Sequence, residues 1–382
     1  MRNNSRRRRN RPGQKGNPGQ GGQGQGNWNS GNRPGGNQHP GQGQGGGNSG
    51  QGGGHRGQGG GGRRGGGSRG RDGRQRRGGG RGGQAPIAPL VRTEAEKVFL
   101  DKTPVAPFEW IRLENGPKSP AMRIVDILAP VGKGQRGLIV SPPKAGKTTI
   151  LKEFCNAAIE TDKEMKVHCL LVDERPEEVT DFRRAVKAEV HASSSDMGFQ
   201  SHIRLADKVY QLAIADAIAG KDVLIVLDSL TRLARAHNSA AGGSRTLSGG
   251  LDSRAMEVPR RFFGSARKLE EGGSITIVAT ILVDTNSRMD EVIFQEFKGT
   301  GNMELVLSRP AAEQRIFPAI HVKSSGTRRE ELLFPEKTLE AVWELRRKLA
   351  GMSDLEATKT IVEMIRKYPT NEKLLEAVKG SV

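Results

Sequence analysis

Short apolar runs alternate with amphipathic stretches through most of the chain, from about residue 122 to its end. RGLIV (136–140) and KVHCLLVDE (166–174) are continuous apolar runs of strand length, whereas apolar residues recur every three or four positions in KTTILKEFCNAAI (147–159). The first pattern is typical of buried strands and the second of helices. Strands separated by helices of ten or more residues predict an α/β fold with a mostly parallel sheet covered on both faces.

Further segments extend this alternation along the chain. We expect residues 122–382 to form one domain with a helical end, and residues 86–121 to be a linker. The predicted strands are 136–140, 166–174, 221–229, 274–284 and 302–308, the predicted helices are 147–159, 176–190 and 203–220, and the helical end is 338–380.

The first 85 residues show neither pattern. They hold 34 of the 53 glycines and 17 of the 61 Lys and Arg, with one acidic residue, Asp72. A segment with so little apolar content cannot offset its ordering entropy by burying surface, so we expect 1–85 to be a long disordered tail. This tail carries +16 of the formal net charge of +19, which leaves the rest of the chain nearly neutral.

Targeting and redox signals are weak. No apolar run follows the basic start of the chain, and no stretch approaches the roughly 18–20 apolar residues of a membrane span. Cys155 and Cys169 lack CxxC spacing and are expected to be buried reduced thiols. We therefore expect a soluble, cytoplasmic protein without a membrane partner.

The segment SPPKAGKTT (141–149) matches the phosphate-binding pattern G-x-x-x-x-G-K-[ST] except at its first position, where Ser141 replaces glycine. A predicted strand leads into it and a predicted helix leads out, which is the context that such a loop requires. The N–H groups and dipole of the helix amino end would bind phosphate. Lys147 would bridge the β- and γ-phosphates of ATP, and Thr148 would ligate Mg²⁺.

Two other predicted strands end in carboxylates, at Glu174 and Asp228. A hydrolase of this class needs one acid for Mg²⁺, the role expected of Asp228, and one carboxylate that polarises water, the role expected of Glu174. Each could instead cap the helix that follows it. Because the carboxyl ends of parallel strands meet at one edge, where open α/β sheets bind ligands, the coincidence favours a site.

Six longer segments connect these motifs to a known family. The chain resembles the bacterial transcription termination factor Rho family, hexameric RNA-dependent ATPases, from about residue 122 to residue 380. The resemblance implies a RecA-like P-loop ATPase domain with ATP and Mg²⁺ as cofactors. The segments are GKGQRGLIVSPPKAGKTT (132–149), DERPEEVT (173–180), DSLTRLARAHN (228–238), RFFGSARKLEEGGSITIVAT (261–280), MDEVIFQEFKGTGNMELVLSR (289–309) and RIFPAIHVKSSGTRREELL (315–333).

The resemblance also implies roles for individual residues. Glu174 would be the base that activates water, and Asp228 would hold Mg²⁺ through water. Arg328 would be the arginine finger offered to the ATP of a neighbouring subunit, with Arg315 as a second sensor of the γ-phosphate, and Phe317 would stack on adenine. Without the family resemblance, the preferred interpretation of Phe317 is an aromatic side chain of the core, and that of Arg328 is a solvated surface charge. The implied nucleotide contacts are Gly132, Lys133, Gly134, Gln135, Arg136, Gly137, Lys144, Ala145, Gly146, Lys147, Thr148, Thr149 and Arg175.

The resemblance also implies that two loops line the central hole of a ring and contact single-stranded RNA. One is HNSAAGGSRTLSGG (237–250), in which Arg245 and Thr246 would reach RNA, and the other is DTNSR (284–288), which offers Arg288. Glycine-rich loops that carry single cations suit a groove that follows a phosphate backbone without reading bases. The alternative is an ordinary disordered surface loop.

The family resemblance further implies an OB-type barrel before the ATPase domain. Only about 36 residues separate the tail from the region of good match, which is too few for a five-stranded barrel. The arginine-rich tail could capture RNA in its place, with loose and salt-dependent binding. A solubilising or phase-separating tail is the alternative.

The expected function is that of an RNA translocase or helicase. It would form a homohexamer and terminate transcription by pulling nascent RNA from RNA polymerase, which is inferred from the family. Two alternatives stand beside it: a rotary ATP synthase-like catalytic subunit, and a non-enzymatic RGG-type RNA-binding protein with an inactive core. The first would need a long helical domain after the core, and the intact ATPase motifs argue against the second.

Overall fold

The structure, a computed structural model, describes residues 92–115, 119–241, 248–252 and 254–380, and the predicted tail lies outside these ranges. Within them, nine strands join in one sheet. The strands are β1 Pro104–Val105, β2 Arg136–Ser141, β3 Lys166–Glu174, β4 Glu189–Ser194, β5 Asp222–Asp228, β6 Arg267–Leu269, β7 Ser274–Leu282, β8 Met303–Val306 and β9 Gly326–Thr327.

Helices connect most of these strands and follow the last one. They are α1 Glu94–Asp101, α2 Pro120–Leu128, α3 Lys147–Thr161, α4 Pro176–Ala185, α5 Phe199–Ile218, α6 Leu230–Ala241, α7 Glu257–Gly264, α8 Arg288–Lys298, α9 Arg309–Glu313, α10 Glu336–Ala350, α11 Asp354–Lys367 and α12 Asn371–Lys379. None of the helices in the described ranges is long and apolar enough to cross a membrane.

The main path of the sheet runs β4-β3-β5-β7-β2-β8-β9. All pairs from β4 to β8 are parallel, and β9 joins β8 antiparallel. Off this path, β6 pairs antiparallel with the start of β7 and with β1. The parallel core brings the carboxyl ends of β2, β3, β5 and β7 to one edge of the sheet, as the sequence predicted.

Each face of the sheet has its own apolar core, because the central strands are buried on both sides. Leu171, Val226 and Val278 pack with α2, α3, α4 and the carboxyl-terminal helices on one face. Leu170 and Ile225 pack with α1 and α5–α8 on the other. This arrangement explains why the central strands are continuous apolar runs.

Two segments differ from the sequence predictions. The helix predicted over 176–190 ends at Ala185, and Glu189–Ser194 forms the edge strand β4 in its last part. The segment expected to be a linker, 86–121, is described from residue 92, and residues 94–105 pack into the domain. Helix α1 buries Phe99 against the α5 face, and β1 extends the sheet beside β6.

The two cysteines behave as expected for reduced thiols. Cys155 on α3 and Cys169 on β3 are both buried and form no disulfide, with their Sγ atoms 3.0 Å apart. Burial raises the pKa of the Cys155 thiol, which keeps it protonated.

Candidate nucleotide-binding site

The loop between β2 and α3 has the backbone of a phosphate cradle despite its first residue. Positive φ falls on Lys144 (63°) and Gly146 (93°), and not on Ser141, which ends β2 in extended conformation. The freedom of glycine is therefore not needed at Ser141. Gly146 is the N-cap of α3, so the N–H groups of the first helical turn have no carbonyl partner within the helix. They are available to an anion.

Three strand ends converge on the lysine of this loop. The Lys147 Nζ atom lies 3.0 Å from Oε1 of Glu174 and 2.7 Å from Oδ1 of Asp228. Both carboxylates are buried, with 3% and 2% of each residue exposed. Thr280 on β7 donates from Oγ1 to the same oxygen of Asp228 at 2.7 Å. The structure thus brings together Lys147, Glu174 and Asp228, three of the five residues predicted to be catalytic.

Arg232 on α6 also belongs to this cluster, and sequence reasoning missed it. Its Nη1 atom lies 2.9 Å from Oε1 of Glu174, and it also donates to the carbonyl of Asp173. Asp173 has a positive φ of 57°, and the register of β3 against β4 shifts between Val172 and Glu174. Such a bulge re-aims the side chain beside it. One sequence signal was available: Arg232 follows Asp228 by four residues and lies in the first turn of the next helix.

The buried charges shift one another's pKa values. Burial raises the pKa of Glu174, and the neighbouring Asp228 raises it further, against the lowering effects of Lys147 and Arg232. Burial acts to lower the pKa of Lys147, but the carboxylates of Asp228 and Glu174 outweigh it and the pKa is raised. Lys147 is therefore a stable cation beside a carboxylate that protonates more readily than an exposed one.

A cleft of about 500 Å³ opens over this cluster, a size typical of small-molecule sites. Ala145 of the same loop, also a predicted nucleotide contact, is buried in the apolar core at 1% exposure and does not line the cleft. Several of the predicted nucleotide contacts line the cleft: Lys144, Gly146, Lys147, Thr148, Thr149 and Arg175.

Arg315 and Phe317 lie on the other side of the loop. Arg315 borders a neighbouring recess together with Pro143 and Lys144. The Phe317 side chain is 41% exposed, and its ring would lie 3.8 Å from a β-carbon added at Gly146. Phe317 is thus an exposed aromatic beside the phosphate loop and not a core side chain.

The structure does not bring residues 132–137, predicted as nucleotide contacts, to the cleft of their own chain. Their segment precedes or begins β2, and the phosphate loop follows the far end of that strand, about 17 Å away. Lys133 Nζ lies 2.6 Å from Asp222 Oδ2 and 2.9 Å from Asp162 Oδ2, at the amino edge of the sheet. Within this chain the six residues Gly132, Lys133, Gly134, Gln135, Arg136 and Gly137 hold that edge together.

Arg328 also lies at the amino edge, far from the phosphate loop of its own chain. Its backbone N–H donates to the carbonyl of Asn302 at 2.8 Å, just before β8. Burial lowers the pKa of Arg136 at the start of β2, and the nearby positive charges of Arg267 and Arg328 lower it further. Arg328 cannot reach the nucleotide that this chain would hold.

The predicted RNA loops meet at one place. Arg288 begins α8 and borders a recess with Asn238 and Gly249, and a β-carbon at Gly249 would lie 2.9 Å from the backbone of Arg288. Arg245 and Thr246 lie outside the described residues. The loop 284–288 is anchored by Asp290, which accepts two hydrogen bonds from Arg235 and one from Thr285.

Comparison with known proteins agrees with this geometry. Residues 121–327 match the nucleotide-binding domain of the ATP synthase alpha/beta family. A solved ATPase from the type III secretion system of pathogenic bacteria has the same fold, with a TM-score of 0.60 at 23% identity over 78% of this chain and 91% of that chain. The expected RecA-like α/β architecture is confirmed.

Relatives of higher identity settle which branch of this fold the chain represents. The transcription termination factor Rho of Streptomyces coelicolor is 52% identical over 74% of this chain and 69% of its own length. That of Micrococcus luteus is 50% identical over 76% of this chain, which spans 42% of that relative. The rotary ATP synthase-like alternative shares the family of the nucleotide-binding domain, but these relatives of about 50% identity are Rho factors. The chain is an ATP-hydrolysing enzyme and belongs to the transcription termination factor Rho family.

Proposed function

We propose that this chain is an ATP-driven RNA translocase that works as a homohexameric ring in the cytoplasm and terminates transcription by pulling nascent RNA from RNA polymerase. One observation carries the chemical part of the proposal. Lys147 lies within hydrogen-bonding distance of both Glu174 and Asp228, three residues from three different elements, under a cleft.

Each group at the cleft has a separate task in ATP hydrolysis. The loop from Lys144 to Thr149 binds phosphate through backbone N–H groups, and Lys147 moves from its carboxylate partners to the phosphates. Glu174 accepts a proton from the attacking water. Thr148 and Asp228 provide the oxygen ligands that Mg²⁺ prefers. When bound, Mg²⁺ neutralises charge that builds on the phosphate oxygens.

The ring follows from the position of Arg328. Because it lies at the amino edge of the sheet, it serves a nucleotide only if that nucleotide is held by another copy of the chain. An arginine finger supplied in trans contributes on the order of 10³–10⁵ in rate. Heterologous contacts of this kind generate closed rings, and the family suggests six subunits.

RNA would pass the recess where Arg288 meets Gly249, next to the loop that carries Arg245 and Thr246. The arginine-rich tail, 1–85, would add a second, sequence-poor site that captures RNA through its charge. Hydrolysis would then depend on RNA, and capture would weaken as salt rises.

Steady-state ATP hydrolysis, measured with and without single-stranded polypyrimidine RNA, tests the proposal. The full chain is compared with a chain that begins at Ala85 and with Lys147→Ala. We expect RNA to stimulate the full chain, the shortened chain to need far more RNA at low salt, and Lys147→Ala to be inactive. If RNA stimulates hydrolysis in neither chain, the RNA translocase is excluded. If the full and shortened chains bind RNA with equal affinity, only the proposed role of the tail is excluded.

Mixed rings test the finger. Lys147→Ala and Arg328→Ala chains are each expected to be inactive alone, since one lacks the phosphate lysine and the other the finger. When the two variants are mixed before assembly, some interfaces join the intact phosphate loop of an Arg328→Ala chain to the intact Arg328 of a Lys147→Ala chain. We expect hydrolysis well above that of either variant alone. Absence of recovery in rings shown to be mixed would exclude a role for Arg328 in trans.

A further inference from the structure

A cluster of two imidazoles and one carboxylate lies at the edge of the sheet, away from the nucleotide cleft. It consists of His168 on β3 and Glu189 and His191 on β4. We propose that these three side chains form a binding site for a transition-metal dication of the Zn²⁺ class, which ties the edge strand to its neighbour.

Strand pairing places the three side chains on one face. In the parallel register, His168 lies opposite Glu189 and Leu170 lies opposite His191. Residues two apart on a strand share a face, so His168, Glu189 and His191 project to the side on which Leu170 packs against the core. Both imidazoles are buried, whereas the side chain of Glu189 is 65% exposed and leaves the cluster open to water from outside.

The distances within the cluster suit a metal better than hydrogen bonds. His168 Nδ1 lies 3.1 Å from His191 Nε2, and the Glu189 oxygens lie 3.6 Å and 3.4 Å from these two nitrogens. Ligands bonded to one tetrahedral ion at 2.0–2.1 Å lie about 3.3–3.4 Å from one another. The three separations, two of which reach different oxygens of Glu189, are within about 0.3 Å of that value, and both carboxylate contacts exceed an ordinary hydrogen bond.

Proton counting leads to the same conclusion. One proton between His168 Nδ1 and His191 Nε2 makes a single hydrogen bond between the two rings. The nitrogen that accepts this bond then has no proton to donate to the carboxylate of Glu189. The other ring nitrogen of His168, Nε2, is buried with no hydrogen-bond partner in the described part of the chain, so its ring makes its polar contacts through Nδ1. When a single proton lies between the two nitrogens, the side chains still present lone pairs and a carboxylate to one another, and a dication in place of that proton would bind all three.

The donor set selects the class of metal. Imidazole binds a metal in its neutral form, through the lone pair of a ring nitrogen. Two imidazole nitrogens and one carboxylate suit Zn²⁺, Co²⁺ or Ni²⁺, whereas Mg²⁺ prefers oxygen ligands alone. Water would complete the coordination on the open side.

The cluster is separate from the nucleotide site. His168 lies six residues before Glu174 on the same strand, about 20 Å away. A metal here would therefore hold β4 against β3 without taking part in hydrolysis. An edge strand is the least supported strand of a sheet, and it is where such a clasp has most effect.

Zinc binding by the full chain, stripped with a chelator and titrated calorimetrically in excess Mg²⁺, tests the proposal. We expect one Zn²⁺ per chain and a higher unfolding temperature. Glu189→Gln and His191→Gln should each weaken binding by at least about tenfold. Co²⁺ gives a second readout, since its visible absorption bands report coordination by these nitrogens and should disappear in His191→Gln.

Two control variants address adventitious binding. His321 pairs with Asp354 at the surface, and His39 and His55 lie in the tail. We expect His321→Gln and the double change His39→Gln, His55→Gln to keep the full equivalent of Zn²⁺. Binding that survives both Glu189→Gln and His191→Gln, that is lost with the tail histidines, or that Mg²⁺ displaces would overturn the proposal. Glu189 is exposed, so Glu189→Gln remains informative if a histidine variant fails to fold.

Discussion

The amino and carboxyl ends of the central strands both hold lysines among carboxylates, but only the carboxyl end forms a phosphate loop under a cleft within this chain. At the carboxyl edge, Lys147 lies between Glu174 and Asp228 beneath a cleft. At the amino edge, Lys133 lies between Asp222 and Asp162, with Lys268 beside them contacting Asp222 and Glu109. Charge and residue type are nearly the same at the two edges.

The surrounding backbone makes the difference. The carboxyl edge adds a loop with positive φ and the free N–H groups of a helix start, so a phosphate can displace the carboxylates from Lys147. At the amino edge, Ser274 donates to Asp222 and Lys133 already bonds three acids. Within this chain the pattern GKGQRG therefore contributes contacts at the amino edge, although it adjoins the phosphate loop in sequence.

Removing the carboxylate at the functional edge should have the largest effect. We expect Glu174→Gln to lower kcat for ATP by about 10³-fold while the chain still binds nucleotide, because the amide cannot accept the proton from water. Glu178→Gln is the matched control, since Glu178 lines the same cleft and pairs only with the exposed Arg175. Equal losses in the two variants would contradict the role of Glu174.

Removing the lysine at the other edge should change stability and not catalysis. We expect Lys133→Met to lower the free energy of unfolding by about 2 kcal/mol, because the partly buried carboxylates of Asp222 and Asp162 lose their cationic partner. Lys221→Met, which breaks an exposed pair with Asp216, should change it by less than about 0.5 kcal/mol. Urea unfolding measures both. If the Lys133→Met protein is stable but fails to bind ATP, the residues of the amino edge take part in nucleotide binding.

The smallest expected effect is a shift in pH dependence. The pKa of Glu174 is raised, so its base form is lost, as pH falls, at a higher pH than for an ordinary carboxylate. Arg232 lowers that pKa, and Arg232→Gln should therefore move the acidic limb of kcat/KM for ATP to still higher pH. Arg183→Gln, at an exposed position on α4, should leave the limb in place. A shift to lower pH in Arg232→Gln would contradict the assignment of Glu174 as the titrating base.

Local pattern was sufficient for most of the central sheet. The strand predicted over 166–174 is β3 without change, and those over 136–140 and 221–229 match β2 and β5 within a residue. The edge strand β4 was missed because EVHASS is short and polar, and such strands form through pairing with a neighbour and not through their own apolar content. Helix α1 was missed because its apolar residues are few and its support comes from α5.

The sequence by itself determined the order of strands and helices, the phosphate loop and the carboxylates at the strand ends, because these depend on local periodicity and on motifs with fixed spacing. Only the tertiary structure decided which charges share a site. It added Arg232 and Thr280 to the catalytic cluster, separated residues 132–137 from it, and brought His168 next to Glu189 and His191. The physical reason is that parallel strand pairing and crossover helices set distances between residues far apart in the chain, and no local pattern records those distances.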